Sequence, residues 1–155
     1  MEAIWTSVVA VSGTLLGSVV TLTFQRLSAR RGELFTRSEA LRQERIATYS
    51  AFAAATEEYR RGQAARWYLR LEDPDGKAFV AARDEAHRLR TAARQALYRV
   101  ELLTDDRDVV LAAERAYRCT WEVSNAQDSA DHDGRDTEAR EAIEAFVSRA
   151  APLVR

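Results

Sequence analysis

Two short patterns carry residue types that metal chemistry uses. Asp84 and His87 are three residues apart, which sets a carboxylate and an imidazole one helical turn apart, as in half of a bundle di-metal site. Such a site takes a second copy from a neighbouring helix. The chain's other histidine, His132, has Ser129 and not an acid three residues before it. The run "DSADHDGRD" over residues 128–136 invites a calcium loop. Setting Gly134 at the sharp turn puts Ser129 at the first ligand position and Arg140 at the twelfth, where acids are required. A solvated polar loop accounts for the run better. Cys119 is the single cysteine, so no internal disulfide forms, and a small apolar residue packed within a helix is the simplest reading. No Ser/His/Asp set clusters and no Gly-rich phosphate loop is present. The expectation is a protein that is not an enzyme and takes no cofactor or metal.

Composition places these residues on helices. The chain has 155 residues, of which 46% are hydrophobic and 30% charged, with only two prolines and six glycines. Few helix breakers among many Ala, Leu, Arg and Glu residues predict an all-α protein. A net charge of -1 argues against a globally basic surface, so no nucleic-acid partner is expected. Charge is uneven, however. Residues 25–70 carry ten Arg against five Glu, and residues 104–155 carry seven Arg against twelve acids.

Residues 3–24 hold no charged side chain. Helical geometry makes 22 residues ~33 Å long, enough for a hydrocarbon core of ~30 Å. A cleaved secretory signal would begin with a basic region and end in a small-residue cleavage site, and neither is present. The segment is therefore read as a transmembrane helix. Arg26, Arg30 and Arg31 follow the span and no basic residue precedes it. That asymmetry predicts a plasma-membrane protein with the N-terminus outside and the body in the cytoplasm. Trp5 would sit at the outer interface, and Arg26, Arg30 and Arg31 at the inner headgroups.

Thr6, Ala10, Gly13, Gly17 and Thr21 fall on one narrow stripe of that helix, opposite a bulky face. Small residues let a second backbone approach closely, so the stripe is a candidate for helix association. "GTLLGSVVT" resembles the Gly-x-x-x-Gly-x-x-x-Thr dimer stripe of glycophorin A, with Gly13, Gly17 and Thr21 in the matching positions. A stripe pair crosses right-handed, whereas a cytoplasmic heptad seam coils left-handed, so a dimer would need a hinge, placed at Gly32.

Beyond the span, a pattern from Leu34 runs through Leu41, Tyr49, Phe52, Thr56, Tyr59, Gln63, Trp67 and Leu71, and its three- and four-residue steps place much of this set on one stripe. This first helix should stop near Leu71, at the turn "EDPDGK", where Gly76 can supply positive φ. A second helix over about 78–103 has the seam Phe79, Ala82, Ala86, Leu89, Ala93, Ala96, Val100 and Leu103. Thr104, Asp105 or Asp106 caps a third helix running to about Gln127. Asp136 or Thr137 caps a fourth, with Ile143, Phe146, Val147 and Ala150 inward, and "APLVR" frays. The expected plan is a transmembrane anchor over 1–25, a juxtamembrane helical stalk over 26–45, and an antiparallel three- to four-helix bundle or coiled-coil body over 46–151.

The span, the arginines after it and "RQERIATYSAFAAATEEYRR" over residues 42–61 resemble small, uncharacterised actinobacterial single-span membrane proteins with a cytoplasmic helical domain. The resemblance implies membrane attachment and a helical body, and no activity. The first functional expectation is a single-pass membrane-anchored interaction or scaffold protein. Its partners would be the lipid bilayer and either another protein or a second copy in a homo-oligomer. The alternative is a membrane-acting regulatory or effector module encoded with a partner.

Overall fold

The structure is a computed structural model that gives helix assignments from residue 2 and full detail for residues 35–155. The expected span over residues 3–24 lies outside the residues described in full. So do its stripe (Thr6, Ala10, Gly13, Gly17, Thr21), its interface residues (Trp5, Arg26, Arg30, Arg31) and the hinge placed at Gly32. Among the described residues no helix is long and apolar enough to cross a membrane. Four α-helices follow one another: α1 (Glu2–Glu72), α2 (Lys77–Leu103), α3 (Arg107–Glu122) and α4 (Ser129–Ala150). Short 3₁₀ turns at Val123–Asn125 and Ala151–Val154 follow α3 and α4, and no strand occurs among the described residues. The chain divides into two compact units, Met1–Leu41 and Arg42–Arg155.

The second unit is an up-down-up-down bundle, as short turns between helices require. Its directions follow from side-chain pairs. Phe52 and Trp67 of α1 meet Phe146 and His132 of α4, so those two helices are antiparallel. Tyr59 and Gln63 of α1 meet Tyr117 and the Trp121 carbonyl of α3, so those run parallel. Tyr49, Phe52, Thr56, Tyr59, Gln63 and Trp67 are all buried, and Leu41 and Leu71 of the same pattern are exposed. Buried Gln63 keeps its polar end satisfied by donating to the Trp121 carbonyl at 2.9 Å. On α2 the seam is Ala86, Leu89, Leu97 and Val100 around Ala93, which has no exposure at all.

Four local expectations are corrected. Gly76 has φ -69°, not a positive φ. A Cβ there would lie 2.6 Å from the carboxylate of Asp73, which accepts from the Asp75 N–H in the turn and would have to swing aside. Residues 128–136 are not a loop, because α4 starts at Ser129 and Gly134 is helical. Asp128 accepts from the Asp131 N–H at 2.8 Å, and Asp131 reaches back to the Gln127 N–H at 2.9 Å. This reciprocal cap satisfies two donors at the helix start, so the polar run begins a helix. Finally, "APLVR" is tied down. Arg42 donates to the Val154 carbonyl at 3.1 Å, and Leu153 and Val154 pack on the core. The third helix also ends earlier than expected, at Glu122, with Asp106 as its N-cap.

Candidate functional site

Arg90 and Arg94 stand one turn apart on α2, and Tyr117 and Trp121 stand one turn apart on α3. Because the helices are antiparallel, the lower-numbered arginine meets the higher-numbered aromatic. Arg94 Nε donates to Tyr117 Oη at 3.2 Å and Arg90 Nε donates to the same oxygen at 3.4 Å. The Arg90 guanidinium lies 4.9 Å from the centre of the Trp121 ring, and that of Arg94 lies 5.7 Å from the Tyr117 ring. Such contacts hold a cation over an aromatic face without neutralising it. Arg83 and Arg88 on the same helix pair with Asp84 and Glu85, whereas Arg90 and Arg94 have no carboxylate partner among the described residues. The hydrogen bond to Tyr117 raises Arg94 above the ordinary arginine value, so it stays charged. Tyr117 is buried, while Trp121 is 43% and Tyr98 52% exposed.

Tyr59 backs this face from α1, its ring 6.0 Å from that of Tyr117. Burial, assisted by Tyr117, pushes its phenol up to about 12, against the opposing pull of Arg90, Arg66 and Arg94. The sign is that of a group kept neutral by folding. Its contribution is complete below the ordinary tyrosine value of 10 and is lost as pH rises toward 12. Thermal unfolding from pH 9 to 12 should therefore show a destabilising alkaline limb that is shallower in Tyr59→Phe, which keeps the ring and removes the titrating hydroxyl. An unchanged limb would place Tyr59 in solvent in the native state.

The opposite side of α1 is a clasp. Arg60 makes a bidentate pair with Glu57, at 2.8 and 2.7 Å, and also donates to Asp136 of α4. The Arg60 hydrogen bond holds the Glu57 carboxyl below its usual range. These charges face one another and join helices. At the far end of the bundle Trp67 Nε1 donates to the Ala126 carbonyl at 2.9 Å, and its ring stacks on His132 at 4.2 Å. His132 is buried, and its Nε2 has no hydrogen-bond partner. At the other end an apolar cleft of about 380 Å³ opens between α1 and α4, lined by Ile46, Tyr49, Phe146, Val147 and Val154 among others.

Asp84 and His87 are exposed, and among the described residues no three His, Cys, Asp or Glu groups converge as metal ligands. Cys119 is half-buried and its thiol donates to Glu138 at 3.7 Å. Burial and that carboxylate push the thiol up, away from the reactive thiolate. The Arg90/Arg94 and Tyr117/Trp121 face was missed in the sequence. The signal was there in two four-residue spacings, but only the α2–α3 register sets one against the other.

Comparison with known proteins reaches the same body. Residues 46–154 match the family described as KilB plasmid transfer protein. Protein KilB of Streptomyces lividans is 35% identical over 98 residues, which cover 63% of this chain and 64% of that relative. The chain thus spans a little under two thirds of that relative's length. No solved structure matches.

Proposed function

Because the chain belongs to the KilB plasmid transfer protein family, we propose that it serves plasmid transfer as a membrane-anchored helical interaction protein. Residues 3–24 anchor it in the plasma membrane, with the N-terminus outside and the bundle in the cytoplasm. The bundle works through contacts with a protein partner or a second copy rather than through catalysis. The observation that carries this reading is the coincidence of two boundaries: the family match covers 46–154, and the compact bundle unit is Arg42–Arg155. The family match thus falls within the folded body. The anchor is supported by 22 consecutive uncharged residues followed by Arg26, Arg30 and Arg31.

Fractionation of cells together with a plasmid-transfer assay tests both halves. Removal of residues 3–24 should release the body from the membrane fraction and lower transfer. In bilayers, Gly13→Ile and Gly17→Ile should weaken cross-linked self-association by about tenfold, because a bulky side chain holds the backbones apart. Recovery of the truncated chain in the membrane fraction with full transfer would overturn the anchor. Unchanged oligomer populations in both glycine variants would overturn the stripe.

A further inference from the structure

We propose that the α2–α3 face built on Arg90, Arg94, Tyr98 and Trp121 binds single-stranded nucleic acid. The inference rests on this face alone and not on the membrane anchor. Arg90 and Arg94 each spend Nε on Tyr117, and their terminal amino groups donate to nothing among the described residues. Those planar donors are free to fork onto an anionic oxygen. No carboxylate neutralises them, unlike Arg83, Arg88 and Arg60. One helical turn, ~6 Å along the axis, separates the two. Successive phosphates of an extended strand can therefore be met in turn.

The flanking residues select the kind of anion. Trp121, 43% exposed, lies beside Arg90, and Tyr98, 52% exposed, lies one turn beyond Arg94. A basic track bounded by exposed rings suits a strand whose bases are free to stack. A duplex hides its base faces, and an acidic peptide needs the arginines but not the rings. Tyr117 and Trp121 also hold both arginines in place beforehand, which lowers the ordering cost of binding. The chain's net charge of -1 does not oppose this, because recognition is local. It makes binding modest and salt-sensitive, with a slope of about -0.7 per phosphate contacted.

The test uses the full chain in detergent micelles and labelled oligo(dT), read by anisotropy at several salt concentrations. The Arg90→Gln/Arg94→Gln double variant should lose about tenfold or more in affinity, and its salt slope should flatten by about 0.7 per contact removed. Trp121→Leu keeps both arginines, so it decides the matter even if the double variant loosens α2 from α3. It should lose roughly fivefold or more and abolish the tryptophan quenching expected when the unaltered chain is titrated. Arg140→Gln, which removes one arginine charge at an exposed position of α4, should stay within about twofold. Equal loss in Arg140→Gln would overturn the proposal. So would equal competition by polyglutamate, duplex binding as tight as oligo(dT) with no effect of Trp121→Leu, or no binding by the unaltered chain.

Discussion

Trp67→Ala is expected to destabilise the bundle by about 3–5 kcal/mol, the range for removing a buried Trp or Phe side chain. Trp67 is 1% exposed, and three interactions end at its indole. It donates to the Ala126 carbonyl, stacks on His132 and meets Tyr68 edge-on at 4.9 Å. Alanine leaves a void between the end of α1 and the start of α4, and it uncovers an imidazole whose Nε2 has no partner. The carbonyl is not orphaned, because Arg70 also donates to it at 3.2 Å. Trp67→Phe should therefore cost less, about 1–3 kcal/mol, for the lost hydrogen bond and the smaller ring. Chemical unfolding followed by circular dichroism separates the two variants. Given a typical total stability of about 5–15 kcal/mol, the alanine variant should lose a large fraction of the folded state's margin. A cost below about 1 kcal/mol for Trp67→Ala would mean that the indole is not packed between these helices.

Phe146→Ala should cost a similar ~3–5 kcal/mol, while Val147→Ala beside it should stay within about 0.5 kcal/mol. Phe146 has no exposure and receives Phe52 at 4.7 Å and Tyr49 at 6.0 Å, both at steep ring angles. Edge-to-face pairs of this kind add to the area they bury. Val147 is 48% exposed and lines the open apolar cleft, so trimming it removes little buried surface. Helical spacing alone assigned both to the buried face of α4. The contrast tests which side of that helix faces α1, and equal costs would mean that α4 is rotated from its place here.

Much of the bundle was legible because the relevant physics is local. Three- and four-residue spacing located the buried stripe of α1 from Tyr49 to Trp67 and the centre of the α2 seam at Ala86, Leu89, Ala93 and Val100, but it named Ala96 where Leu97 is the buried residue. Both helix ends beside "EDPDGK" came within about one residue, since proline and the Asp73 turn stop a helix whatever surrounds it. The start of α4 was misread because polar composition outweighed its capping signal. Asp128 and Asp131 close a reciprocal cap, and Asp131 then pairs with Arg135 at 2.8 Å one turn on. With the helix begun there, His132 and Ala139 are buried. The candidate face was illegible for a different reason. Arg90, Arg94, Tyr117 and Trp121 look in the sequence like two ordinary charged or aromatic pairs, and nothing local says they oppose one another.

By itself, then, the sequence determined that the body is a bundle of three to four helices, nearly where most of them end and most of the apolar stripe they bury. Those properties depend on backbone propensity, turn chemistry and periodicity within a few residues. Only the tertiary structure decided that Trp67 lies on His132, that Arg60 reaches Asp136, and that two arginines share one tyrosine hydroxyl. Each of those meetings joins residues 23 or more positions apart. Each depends on the axial register and rotation of whole helices, which the collective packing of the core sets and no short stretch encodes.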